Sequence, residues 1–352
     1  MSNKLRKNLI LTGLTILIVI IMSFIYVKLT SKSNTFNKDN IAPDGNKKVF
    51  EENINNLSAW ATYWDLNCDK EIIALDKELK NLCYFAVSFN GSNELVMPDK
   101  LINYYNQTKS LPYTKYMTIV NDKTNSDGSS LLKDTTLLKA LLSDSDSRNK
   151  HAEDLINLAV KYNFDGIEID YEQIKDDLKL WKDYRLFIKD LYKKAEKQGL
   201  KVRVVLQPNI PFDKLTFDEG PTYVMMCYNL HGGFSKPGEK ANPKFISGLI
   251  EKMSKIPGKK DFAIATGGFN WAANGKTTSL TETEANNLLK EYNAKAERDK
   301  ESQCLVFKYT DKDNRKHEVW YADKTTLKSW TKVIAEKGYD VSLWRLGGNC
   351  FR

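Results

Sequence analysis

The sequence predicts an α/β protein, a closed (β/α)8 barrel with a small α+β insertion before its last strand and one apolar helix at the N-terminus. Three observations lead there. Short β-rich runs alternate with helical stretches, and such alternation implies parallel strands joined by crossovers. Eight such runs occur, at 59–64, 82–89, 115–120, 166–171, 202–206, 223–228, 262–266 and 341–346. Eight units over about 300 residues is the size at which a parallel sheet closes into a TIM barrel. The third is the stretch between the last two runs, which is too long for one crossover and carries its own pattern.

The elements follow in chain order. Residues 9–27 form 19 consecutive uncharged, mostly apolar residues, enough at about 1.5 Å per residue to cross a hydrocarbon core about 30 Å thick. A membrane anchor or a signal sequence fits this run. Its length and the lack of a small-x-small cleavage site favour an uncleaved anchor. Lys4, Arg6 and Lys7 precede it, so the positive-inside tendency keeps the N-terminus cytoplasmic and sends the rest of the chain outside. The expected organisation is a cytoplasmic tip and anchor over 1–28, a polar linker over 29–50 and a catalytic domain over 51–352. Helices are read at 151–162 and 178–198, the latter stopped by Gly199. The insertion, about 270–328, is read as a helix at 282–300 and two strands at 304–309 and 317–321.

Composition excludes several classes. A hydrophobic fraction of 41% with 17 Tyr, 15 Phe and 7 Trp is too high for a disordered chain. Of the formal +8, most lies in residues 1–48, which hold 8 Lys/Arg against 2 Asp/Glu. The nearly neutral remainder argues against a nucleic-acid partner. Cys68, Cys83, Cys227, Cys304 and Cys350 form no CxxC pair, and His151, His231 and His317 are scattered, so neither a metal nor another cofactor is expected. Cys304–Cys350 and Cys68–Cys83 are conceivable disulfides outside the membrane, and all five are equally readable as small buried residues.

The informative stretch is Phe164-Asp165-Gly166-Ile167-Glu168-Ile169-Asp170-Tyr171-Glu172. Side chains alternate along a strand, so Glu168, Asp170 and Glu172 share one face and Ile167, Ile169 and Tyr171 the other. Alone, this fits an exposed antiparallel strand as well. In a parallel barrel, helices cover the outer face, so the carboxylates point inward. Crowded carboxylates raise one another's proton affinity, which suits a general acid with a charged or proton-sharing partner.

Here the residues resemble the family 18 glycoside hydrolases, which include chitinases, endo-β-N-acetylglucosaminidases and peptidoglycan-active N-acetylglucosaminidases. Asp165, Glu168, Asp170 and Glu172 match the D-x-x-D-x-D-x-E motif of that family's fourth strand, with Glu in place of the second Asp. Tyr223 to Asn229 is similar to the sixth-strand M-x-Y-D motif, with Met226, Tyr228 and Asn229 at the three positions and Asn replacing Asp. Residues 265–271, ending in Trp271, and 341–347, containing Trp344, resemble the ends of strands seven and eight.

The resemblance implies a retaining, substrate-assisted mechanism in which the substrate's own 2-acetamido oxygen is the nucleophile. Glu172 would be the acid and base, Asp170 would orient the acetamido group and stabilise the oxazolinium, and Tyr228 would hydrogen-bond the acetamido oxygen. Glu168, Trp344, Asn229, Met226 and Trp271 would line the substrate site, with Trp344 as the sugar floor. The implied partners are a polysaccharide containing N-acetylglucosamine and the membrane, for a chain acting as a monomer. The leading expectation is a membrane-tethered extracellular glycosidase on peptidoglycan or chitin-type glycan. The alternatives are an inactive member that only binds glycan and an endo-β-N-acetylglucosaminidase acting on N-glycans.

Overall fold

A computed structural model describes residues 48–50 and 54–351. The expected anchor and almost all of the expected linker lie outside the described residues. Among the described residues no helix is long and apolar enough to cross a membrane.

All eight strands form where the pattern puts them. They are β1 (Leu57–Thr62), β2 (Leu79–Asn90), β3 (Thr114–Thr124), β4 (Gly166–Asp170), β5 (Lys201–Leu206), β6 (Thr222–Met226), β7 (Lys260–Ala265) and β8 (Asp340–Trp344). Each pairs in parallel with the next, and β8 returns to β1 through Leu57↔Val341 and Ala59↔Leu343, which closes the barrel.

The helices have recognisable causes. Asp177 caps Leu178–Lys197 by accepting from the Leu180 N–H, and Leu180, Trp181, Tyr184, Phe187, Ile188, Leu191 and Ala195 form its buried stripe. Asp144 caps Ser145–Tyr162, which therefore starts earlier than the apolar pattern suggests, and Asn163 ends it at φ 59°. Between β4 and these two helices, Ile167, Ile169 and Tyr171 are buried. Their outward packing turns Glu168 and Asp170 into the barrel.

Two departures from the expected pattern have local reasons. The crossover between β5 and β6 holds only a 3-10 turn, Phe212–Lys214, because Pro208, Pro211 and Pro221 deny it helical N–H donors. The insertion helix stops at Glu291 rather than 300, with Asn293 in the left-handed region at φ 47°. The insertion itself is a five-stranded antiparallel sheet that also recruits Gly267–Ala272 and Thr277–Leu280. Gly267, at φ 58°, and Gly268 let the chain leave β7 and pass against the Leu280 and Trp320 carbonyls, where any Cβ would collide. Ala285, Phe307, Val319 and Tyr321 give this sheet a core of its own. All five cysteines are free, so neither conceivable disulfide forms; four are buried and Cys350 is exposed.

Candidate active site

The barrel interior is built in layers from its base to its C-terminal mouth. At the base lies a charged network. Arg203 of β5, set between Val202 and Val204, donates from Nε to Glu168 Oε2 at 2.7 Å and from Nη1 to Asp261 Oδ2 at 2.9 Å. Trp60 Nε1 and Thr118 Oγ1 donate to Glu168 Oε1 at 2.6 and 2.8 Å. Ser58 and Ser342 complete the Arg203 contacts at 3.0 Å each. Glu168, Arg203 and Asp261 are wholly enclosed, so Glu168 is a holding group beneath the site rather than a group open to a ligand.

One layer up, Asp170 is buried and its Oδ1 has no hydrogen-bond partner. Burial, and then the charge of Glu172, push its carboxyl well above the usual carboxylate range. Tyr228 is buried nearby, and burial holds its phenol protonated. Met226 lies in the same interior cluster as Tyr228, Trp60 and Tyr116.

Glu172 stands just past the C-terminal end of β4. Asn121 grips its backbone twice, accepting from the Glu172 N–H at 2.9 Å and donating to its carbonyl at 3.1 Å. Gln207 Nε2 donates to Glu172 Oε2 at 2.7 Å, and Lys133 pairs with Oε1. A cleft of about 480 Å³ is lined by Tyr228, Asn229, Trp344, Lys240, Arg345 and parts of the insertion sheet, and Tyr228 links it to Asp170 and Glu172, whose charges act on its phenol. Trp344 rests edge-on against Phe85, centroids 4.7 Å apart, and against Trp60 at 5.7 Å. Its exposed part forms one wall of the cleft, an apolar surface of the kind that sugar C–H groups pack upon. An acid at the mouth, a buried carboxyl of raised proton affinity and a neutral phenol beside an aromatic wall form an arrangement that can protonate a leaving group and hold a polar substituent.

The model of the glycosyl hydrolases family 18 matches residues 19–349. The chain belongs to that family. Relatives of this member include the uncharacterised glycosylase YvbX of Bacillus subtilis, 28% identical over 61% of this chain and 66% of that protein. A cortical fragment-lytic enzyme of the same organism is 26% identical over 75% of this chain and 63% of that enzyme. The family 18 chain thus spans just under two thirds of the length of these relatives. The spore cortex-lytic enzyme SleL of Bacillus cereus superposes with a TM-score of 0.71 at 19% identity, covering 88% of this chain and 74% of SleL. A chitinase of Chromobacterium violaceum gives 0.70 at 16% identity, covering 84% and 95%. These structures share the barrel.

Of the residues singled out in the sequence of this family 18 member, Glu168, Asp170, Glu172, Met226, Tyr228 and Trp344 come together inside the barrel or at its mouth. Asn229 is exposed on the cleft wall at φ 72°. Trp271 stands apart, buried in the insertion sheet with its indole N–H donating to the Gly232 carbonyl at 3.1 Å. Sequence reasoning passed over Asn121, Lys133, Gln207 and Arg203. Arg203 alone carried a signal, a charge set between Val202 and Val204 in the run Lys201-Val202-Arg203-Val204-Val205-Leu206. Among the described residues no His/Cys/Asp/Glu group could hold a metal ion.

The Asp170 environment has a consequence for stability. The folded state holds a proton there more tightly than the unfolded chain, whose carboxyl has a pKa of about 3.9. Stability therefore falls as pH rises from that value toward the raised folded one. Asp170→Asn, which needs no proton, should raise Tm at pH 7 by about 2–6 °C while abolishing turnover. Thermal unfolding at pH 4 and pH 7 checks this; a variant no more stable than the parent at pH 7 would mean that the buried carboxyl costs nothing.

Proposed function

We propose that this chain is a membrane-tethered, extracellular glycoside hydrolase that cleaves β-linkages next to N-acetylglucosamine with retention of configuration. The observation that carries the reading is that Tyr228, close enough to Asp170 and Glu172 to feel their charges, also lines the cleft that Trp344 walls, at the barrel's C-terminal mouth where barrel active sites lie.

In the proposed reaction the sugar packs on Trp344. Its acetamido oxygen attacks the anomeric carbon as the bond to the leaving oxygen breaks, and Glu172 gives that oxygen its proton. Asp170 accepts from the acetamido N–H and, as a carboxylate, offsets the positive charge of the oxazolinium, while Tyr228 donates to the acetamido oxygen. Water then adds at the anomeric carbon and returns a proton to Glu172, so the configuration is retained. In the free protein Lys133 and Gln207 each donate to one Glu172 oxygen, leaving each oxygen a second lone pair for the proton that the glycosidic oxygen receives. The sequence likeness to a cortical fragment-lytic enzyme and the expected outward orientation support peptidoglycan over chitin as the substrate.

The test compares the purified chain on glycan strands freed of peptide, chitin oligomers and a high-mannose glycopeptide, with the product anomer followed by NMR. Retention, inhibition by a thiazoline mimic of the oxazolinium, and inertness toward de-N-acetylated sugars are expected. An inverted product would overturn the mechanism, efficient cleavage of chitin alone would overturn the substrate, and binding without cleavage would make the protein a lectin. For the orientation, protease added to intact cells should release a soluble fragment beginning near residues 30–50, and protection of the whole chain refutes it.

A further inference from the structure

The cleft beside Trp344 contains a cation that has no anionic partner among the described residues. Lys240 Nζ donates to one backbone oxygen, that of Thr266, at 2.9 Å, and lies 4.9 Å from the centre of the Phe269 ring. Among the described residues it takes part in no ion pair, although two carboxylates line the same cleft. Each of those is engaged elsewhere. Asp65 pairs with Arg345 at 2.7 Å, and Glu284 Oε2 accepts from the Thr281 N–H and hydroxyl at 2.7 and 2.9 Å, capping the insertion helix. Burial, and then the neighbouring Arg345 charge, push the Lys240 ammonium down to about 8. Among the described residues nothing supplies the counter-charge that an ammonium group this desolvated calls for.

Its position is fixed relative to the sugar wall. Thr266, which accepts from Lys240, donates its own N–H to the Trp344 carbonyl at 2.7 Å and its hydroxyl to the Arg345 carbonyl at 2.8 Å. Lys240 is thus fastened to the backbone of the residue on which the sugar would pack. Any acidic substituent on a sugar in this cleft would meet a cation that is anchored, partly dehydrated and uncompensated. A neutral glycan would leave the ammonium unpaired, an asymmetry that discriminates more strongly than an added apolar contact.

We propose that Lys240 is a specificity residue that binds a carboxylate borne by the glycan, so that the substrate is an acidic polymer in which N-acetylglucosamine adjoins a carboxyl-bearing sugar. The inference rests on the glycan reading above and deepens it. Two sources supply that chemistry, a lactyl ether on a muramoyl sugar and the carboxyl of a uronic acid.

Binding is measured by calorimetry with the full chain in detergent carrying Glu172→Gln, so that no hydrolysis intervenes. The ligands are peptide-free GlcNAc–MurNAc strands, the same strands with their carboxyls amidated, and oligomers alternating GlcNAc with glucuronic acid. The acidic strands should bind about tenfold tighter than the amidated ones, the scale of a hydrogen bond to a charged group. Lys240→Met should bring that ratio close to one, and Lys240→Arg should keep most of it. Whichever acidic glycan binds tighter identifies the source of the carboxylate. A ratio near one in the parent chain, which needs no Lys240 variant, overturns the proposal, as does a ratio that Lys240→Met leaves unchanged. Failure to bind any of the glycans removes the glycan reading itself, and this inference with it.

Discussion

Replacing Glu172 by Gln is expected to lower kcat by at least about 10²-fold and to leave glycan affinity within a few-fold. Glutamine keeps the length and shape of the side chain. Its backbone stays clamped, because Asn121 holds main-chain atoms of residue 172 rather than its carboxyl group. What disappears is the proton. Asp170 is the other carboxyl group at hand, but it sits buried one residue pair deeper on the same face, below the mouth where a leaving oxygen would lie. Tyr228 is held as a neutral phenol by burial and is too weak an acid to replace a carboxyl group. Initial rates on the preferred glycan together with calorimetric affinities check the prediction. Turnover within a few-fold of the parent would remove Glu172 from the role of acid, and equal losses in rate and affinity would show that the side chain mainly holds substrate.

Much of this site was legible because it is encoded at short range. The alternation Glu168-Ile169-Asp170-Tyr171-Glu172 specifies, within five residues, which side chains face a helix layer and which face inward. Closure into a barrel then gives the inward face its meaning. The eight strands were readable for the same reason, each being a local apolar run. What could not be read was pairing over long separations. Lys133 reaches Glu172 across 39 residues and Gln207 reaches it across 35, from loops whose sequences carry no period. Trp271 shows the converse. A tryptophan just past a barrel strand was expected to line the substrate site, but the Gly267–Gly268 pair carries the chain into a second sheet, where its indole N–H donates to the Gly232 carbonyl. The Glu168 departure from the family motif is also clearer in three dimensions. Its longer side chain reaches Trp60, Thr118 and Arg203 at once, which ties the motif to the base of the barrel.

That tie underlies the largest expected effect on stability. Arg203→Met should destabilise the fold by about 3–5 kcal/mol, since it leaves Glu168 and Asp261 buried with no counter-charge. The guanidinium serves both carboxylates and donates to Ser58 and Ser342, on β1 and β8, the two strands whose pairing closes the barrel. One substitution thus strands two acids and four hydrogen bonds at a place where water cannot substitute for them. The loss belongs to the unpaired charges rather than to the missing attraction, and this can be separated experimentally. Adding Glu168→Gln and Asp261→Asn to Arg203→Met should recover most of the stability, because neutral amides in the same positions need no cation. Denaturant unfolding of the single and triple variants measures both quantities. A single variant within about 1 kcal/mol of the parent would mean that the network bears little of the fold, the range of an ordinary substitution. A triple variant no better than the single would locate the damage in packing around residue 203 instead of in its charge. If the triple variant recovers stability but not turnover, the charged base is kept for the sake of Asp170 above it, and its cost in stability is the condition for a carboxyl held ready at the centre of the barrel.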